Sequence, residues 1–126
     1  MMNKKIKDII AKKNKSKIVS LTAYSKNIAQ IIDKYVDMTL VGDSVASVLY
    51  NYNTTRKISL DAMIEHAKSV RMGVHNSLMV FDMPYNTYKD KKNALLNAKK
   101  IIKKTKSDAV KLEGGSKIKD LSLIHI

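Results

Sequence analysis

The sequence runs to 126 residues, 44% of them hydrophobic, a usual size for one domain with a core of its own. It has no cysteine, which excludes disulfides, thiolate zinc sites and cysteine nucleophiles, and no apolar run approaches the roughly 18 residues that a membrane-spanning helix needs. Lys plus Arg number 24 against 11 acids, a net charge of +13, but the excess is local: residues 1–17 hold seven Lys and one Asp, residues 89–106 hold eight Lys and one Asp, and the remainder balances.

In chain order, Ile6, Ile9 and Ile10 are spaced i, i+3, i+4 and predict a short amphipathic helix within residues 1–16. Lys17–Thr22 is a β-rich run. Ile28, Ile31 and Ile32 mark a helix over about 25–35, with Ser25 as its N-cap. Met38–Val41 is a second apolar run, stopped by Gly42-Asp43-Ser44, and the polar Tyr50–Thr55 reads as loop. Ser59 caps the next helix, whose apolar face is Leu60, Met63, Ile64, Ala67 and Val70, with Gly73 suited to the C′ position. Leu78–Phe81 is the third apolar run and ends at Asp82-Met-Pro84. Leu95, Ala98, Ile102 and Thr105 line one face of a lysine-rich helix over about 91–105. Ala109–Leu112 is the fourth run, followed by Glu113-Gly-Gly115. Short apolar strands alternating with amphipathic helices specify the α/β class and a parallel sheet.

Both lysine-rich segments read as solvated helix faces. Arg56 and Arg71 are the only arginines, whereas bidentate recognition of phosphates and bases leans on Arg. No nucleic-acid or membrane partner is expected. The N-terminus lacks the uninterrupted apolar stretch of a secretory signal, and a cytoplasmic location is expected.

Asp43, Asp82 and Glu113 each stand just after an apolar run. In parallel α/β folds the strand C-termini share one edge, where ligands bind, so three distant carboxylates can converge there. Converging carboxylates repel one another unless a cation lies between them, and hard oxygen ligands suit Mg²⁺. Lys111 precedes Glu113 by two residues and shares its strand face, so its ammonium can neutralise an anionic substrate. A solvent-facing strand-edge lysine is the plainer reading, and the residues alone leave both open. Ser44 can donate to a substrate carboxylate or simply cap the turn. His66 lies beside an apolar stripe and reads as structural. Neither a hydrolase triad, a P-loop nor a dinucleotide fingerprint is present.

Leu21-Thr-Ala-Tyr24, Leu40-Val-Gly-Asp-Ser44, Asp82-Met-Pro84 and Val110-Lys-Leu-Glu-Gly-Gly115, in this order and spacing, closely resemble the ketopantoate hydroxymethyltransferase (3-methyl-2-oxobutanoate hydroxymethyltransferase) family. Asn53-Thr-Thr55 and Ile58-Ser-Leu-Asp61 agree as well, so the likeness covers about residues 5–116. Ser25 stands where the family usually has Asp.

The resemblance implies a (βα)₈ TIM barrel in a homo-oligomer, Mg²⁺ dependence, methylene-tetrahydrofolate as one-carbon donor, and a place in pantothenate and coenzyme A synthesis. It implies transfer of a hydroxymethyl group to 3-methyl-2-oxobutanoate, giving 2-dehydropantoate (ketopantoate). By motif, Asp43, Asp82 and Glu113 hold the metal directly or through water, and Asp43, Ser44, Asp82 and Lys111 contact the 2-oxo acid. The family's proton-abstracting glutamate lies in the second half of the barrel, so no catalytic base is assigned to this chain.

A (βα)₈ barrel needs ~250 residues. The expected domain is thus a single incomplete barrel over 1–126: an N-terminal helix in 1–16, four strands with their helices in 17–115, and a truncated or non-native tail in 116–126. On this reading the fragment is inactive alone. Two rival expectations remain: an Mg²⁺-dependent enzyme of the phosphoenolpyruvate mutase and isocitrate lyase group, or a non-catalytic basic protein that binds nucleic acid, which steep salt-dependent DNA binding would reveal.

Overall fold

The computed structural model describes residues 4–122; residues 123–126, part of the expected tail, lie outside them. Helix α1 (Lys4–Ala11) leads into strand β1 (Ser20–Thr22), α2 (Lys26–Ile32), β2 (Met38–Val41) and the short α3 (Val45–Val48). A 3₁₀ turn (Thr55–Lys57) precedes α4 (Leu60–Arg71), β3 (Leu78–Asp82), α5 (Lys91–Thr105) and β4 (Ala109–Lys111). A second 3₁₀ turn (Gly115–Ile118) runs into α6 (Lys119–Ser122).

The strands lie in the order β1-β2-β3-β4 and every neighbouring pair is parallel. This is the expected α/β arrangement, four consecutive βα strands covering part of a barrel. Alternation along the strands gives the sheet two different faces. Thr39, Val41, Met79 and Phe81 are fully buried, and the core cluster joins Val41, Met79 and Phe81 to Met63, Ile64, Ala67 and Val70 of α4. On the other face Ser20, Met38, Leu40, Leu78, Val80 and Ala109 line an open groove of about 590 Å³. β1 forms one edge of the sheet, and all three of its residues are exposed.

Helix α4 forms as its spacing predicts, with the Ser59 side chain accepting from the Ala62 amide and Met63, Ile64, Ala67 and Val70 buried. Three local expectations are corrected. Ser25 stands at the N-cap of α2 but makes no side-chain capping bond; the Lys26 amide donates instead to Ser69 Oγ on α4 at 3.0 Å. Gly73 does not adopt the left-handed conformation of a C′ glycine. Its role is close approach, since a Cβ there would overlap the Lys26 carbonyl and lie 2.8 Å from the Gln30 amide nitrogen of α2. Helix α5 buries Ala94, Ala98, Ile101 and Thr105, a face one residue earlier than the Leu95 and Ile102 stripe, and Leu95 is only half-buried where it lines the groove with Ala94, Ala98 and Ile118.

At the amino-terminal side of the strands, Asp33 ties the segment before β2 to the segment before β3. Its buried carboxylate accepts from the amides of His75 (2.9 Å), Asn76 (2.9 Å) and Ser77 (2.9 Å), from Asn76 Nδ2 (3.0 Å) and from Ser77 Oγ (2.8 Å). Burial alone would raise its pKa, but these bonds outweigh burial and hold it at about 2.

Candidate active site at the strand ends

The loop after β2, the last residue of β3 and the segment leaving β4 meet along one edge of the sheet. Asp82 and Lys111 are register partners across β3 and β4, so their side chains stand side by side on one face. Lys111 Nζ donates to Asp82 Oδ2 at 2.8 Å and also contacts Glu113 Oε1, two residues further along its own strand direction. Lys111 is therefore engaged with two carboxylates rather than lying loose in solvent.

Asp82 is 3% exposed. Burial pushes its carboxyl above the usual range, against the pull of the Lys111 ammonium and with a further push from Asp43 and Glu113. Burial would lower Lys111, but the two carboxylates it touches hold it above the ordinary lysine value. Two acids thus share one ammonium, with a third, Asp43, near enough to act on Asp82. Among the described residues no three His, Asp or Glu side chains are disposed to hold a metal ion; Asp82 and Glu113 meet on Lys111, while Asp43 acts on Asp82 through its charge.

Asp43 and Ser44 follow β2 at the entrance to α3. Ser44 occupies the N-cap position yet makes no capping bond; its Oγ lies 2.7 Å from the Tyr24 hydroxyl. His66 is structural, its Nδ1 2.8 Å from the Tyr24 carbonyl and its Nε2 3.0 Å from the Tyr50 hydroxyl. Two further residues join the site without a signal of their own in the spacing of the sequence: Tyr24, marked only by its place in the Leu21–Tyr24 motif, and Tyr88, whose hydroxyl accepts from the Glu113 amide at 3.4 Å.

The family model described as ketopantoate hydroxymethyltransferase matches residues 3–125. The chain is 68% identical over 117 residues to the 3-methyl-2-oxobutanoate hydroxymethyltransferase of Pelagibacter ubique, covering 93% of this chain and 46% of that protein. It is 48% identical over 105 residues to the protein of the same name from Helicobacter acinonychis, covering 83% and 39%. A third, from Bartonella tribocorum, is 48% identical over 108 residues, covering 85% and 40%. The chain spans less than half the length of these curated relatives. Among solved structures, a phosphonopyruvate hydrolase in complex with oxalate and Mg²⁺ superposes with a TM-score of 0.69 at 12% identity, over 86% of this chain and 38% of that one. That likeness is one of fold, so the rival mutase and lyase reading has a structural relative but no sequence support. The chain belongs to the ketopantoate hydroxymethyltransferase family.

Proposed function

We propose that this chain supplies the 2-oxo-acid side of a site that transfers a hydroxymethyl group from methylene-tetrahydrofolate to 3-methyl-2-oxobutanoate, giving 2-dehydropantoate. The observation that supports this most is the Asp82–Lys111–Glu113 chain of contacts at the strand ends, with Asp43 close enough to push Asp82 up. A 2-oxo acid brings one carboxylate and one keto oxygen. Lys111, already polarised by two acids, neutralises the carboxylate, and the Ser44 hydroxyl donates to it. Together they fix which face of the C3 carbon meets the one-carbon unit.

Three carboxylates against one ammonium leave an excess of negative charge that suits a hard divalent cation. Mg²⁺ takes only one or two protein carboxylates, completing its shell with water and substrate oxygens. In this reading Asp43, Asp82 and Glu113 would hold the ion, directly or through water. Bound there, Mg²⁺ supplies Lewis-acid polarisation of the keto group. The family's full assembly and its homo-oligomer belong to the same proposal.

The test is to incubate the complete gene product with 3-methyl-2-oxobutanoate, methylene-tetrahydrofolate and Mg²⁺ and to follow ketopantoate by mass spectrometry. Product that depends on all three is the expected result. No product under conditions where the Pelagibacter ubique relative forms it would remove the proposal.

A further inference from the structure

An N-cap serine ordinarily turns its hydroxyl back to accept from an amide of the first helical turn. Ser44 does not; its Oγ is bonded to the Tyr24 phenol instead. Gly42 makes this possible, because a Cβ at that position would lie 2.9 Å from Ser44 Oγ. Tyr24 is itself held. Its carbonyl can only accept, so the His66 ring carries its proton on Nδ1 and donates there. Nε2 is then the acceptor for the Tyr50 hydroxyl. Tyr50 closes the circuit, since its amide returns to the Val45 carbonyl in α3, the helix that Ser44 begins. Three residues, Tyr24 after β1, Tyr50 after α3 and His66 on α4, therefore form a chain of bonds that ends on the Ser44 hydroxyl.

We propose that Tyr24 is a positioning residue for the 2-oxo acid, acting through Ser44. Its phenol donates to Ser44 Oγ, which leaves the serine's own proton to be given to the substrate carboxylate. His66 is the brace that keeps Tyr24 in place. The inference rests on Ser44 as a substrate contact, and its test separates the two.

The kinetics of Tyr24→Phe, Ser44→Ala and the double variant are measured in the complete gene product. Tyr24→Phe removes one oxygen and raises the KM for 3-methyl-2-oxobutanoate roughly three- to tenfold, the span of one neutral hydrogen bond. The KM for methylene-tetrahydrofolate and kcat stay within about twofold, a split that a general loss of structure would not produce. In the Ser44→Ala background, Tyr24→Phe adds nothing. His66→Ala raises the same KM in a protein that retains the phenol, and His66→Asn, which keeps a donor toward the Tyr24 carbonyl, restores it. A Tyr24→Phe enzyme with unchanged oxo-acid KM, or an equal effect with and without Ser44, overturns the role of Tyr24 alone. An unchanged oxo-acid KM in Ser44→Ala overturns the substrate contact and the inference with it.

Discussion

Asp82 and Lys111 face each other in register across β3 and β4, with Lys111 Nζ 2.8 Å from Asp82 Oδ2, and the acid is almost wholly buried while the lysine is not. A buried carboxylate beside a half-exposed ammonium is a polar site maintained against desolvation, which core packing alone would not favour. The lysine also touches Glu113, so one cation spans the ends of β3 and β4.

Asp82→Asn is nearly isosteric and keeps a hydrogen-bonding partner for Lys111, so the fold is expected to survive. It removes a charge from the proposed cation site and should lower Mg²⁺-dependent turnover on the order of 10²-fold. Circular dichroism checks the fold and a Mg²⁺ titration of initial rates checks the site. Rates near wild type at limiting Mg²⁺ would dissociate Asp82 from the metal.

On the proposed reading Lys111→Ala deprives the substrate carboxylate of its cation and should raise the KM for 3-methyl-2-oxobutanoate more than it lowers kcat. It also leaves Asp82 buried beside Asp43 and Glu113 without a counter-charge. Steady-state kinetics at varied oxo acid decide this, and an unchanged KM would confine Lys111 to a structural ion pair.

Asp33 provides a stability test away from the site. Its ordinary pKa of 3.8 falls to about 2 in the fold, so its carboxylate contributes about 2 kcal/mol above pH 4. A depressed acid gives stability that is present above its unfolded pKa and is lost as pH falls through the folded one, here between about pH 4 and pH 2. Asp33→Asn turns part of an acceptor toward amide donors and should cost about 3 kcal/mol at pH 7. Urea unfolding of the complete gene product at pH 7 and pH 3 should show the variant losing less between the two than the wild type. Parallel pH profiles would mean that another group governs acid stability.

The strand ends were legible in the sequence because short apolar runs stop at Asp43, Asp82 and Glu113, and parallel topology brings such ends to one edge. The residues beneath the site were not. Asp33 follows an apolar helix face like any exposed acid, and its donors lie more than forty positions away at His75–Ser77. Gly73 follows a helix as a C′ glycine would, and only the neighbouring α2 backbone reveals that it is a contact. The face of α5 was displaced by one position because Leu95 and Ala94 are both apolar, and spacing alone does not say which of two adjacent apolar residues is the more deeply buried.

Gly73→Ala isolates that contact, because the glycine's backbone is not left-handed and alanine meets no conformational penalty there. The added Cβ would meet two backbone atoms of α2 and lie 3.0 Å from Ala29 Cβ, so a helix must shift. Overpacking of this kind costs about 1–3 kcal/mol. Equilibrium unfolding reads it directly, and a neutral or stabilising result would show that α2 and α4 separate easily.

Residues 1–126 expressed alone are expected to be inactive and self-associating. Among the described residues the first and last strands of the sheet have partners on one side only, and β1 exposes Leu21 with Ile18 and Val19 just before it. Unpaired parallel edges of this kind seek another strand. The groove face, with Met38, Leu40, Leu78 and Val80, adds apolar surface that a closed barrel would cover. In the proposed site Lys111 and Ser44 would orient the oxo acid but not remove its C3 proton, and general-base help is worth about 10²–10⁴ in rate. Size-exclusion chromatography with light scattering should find dimers or larger species, and the ketopantoate assay should find no turnover above background. A monomer that turns over at ordinary enzyme rates would place a base among these residues and a stable fold in four strands.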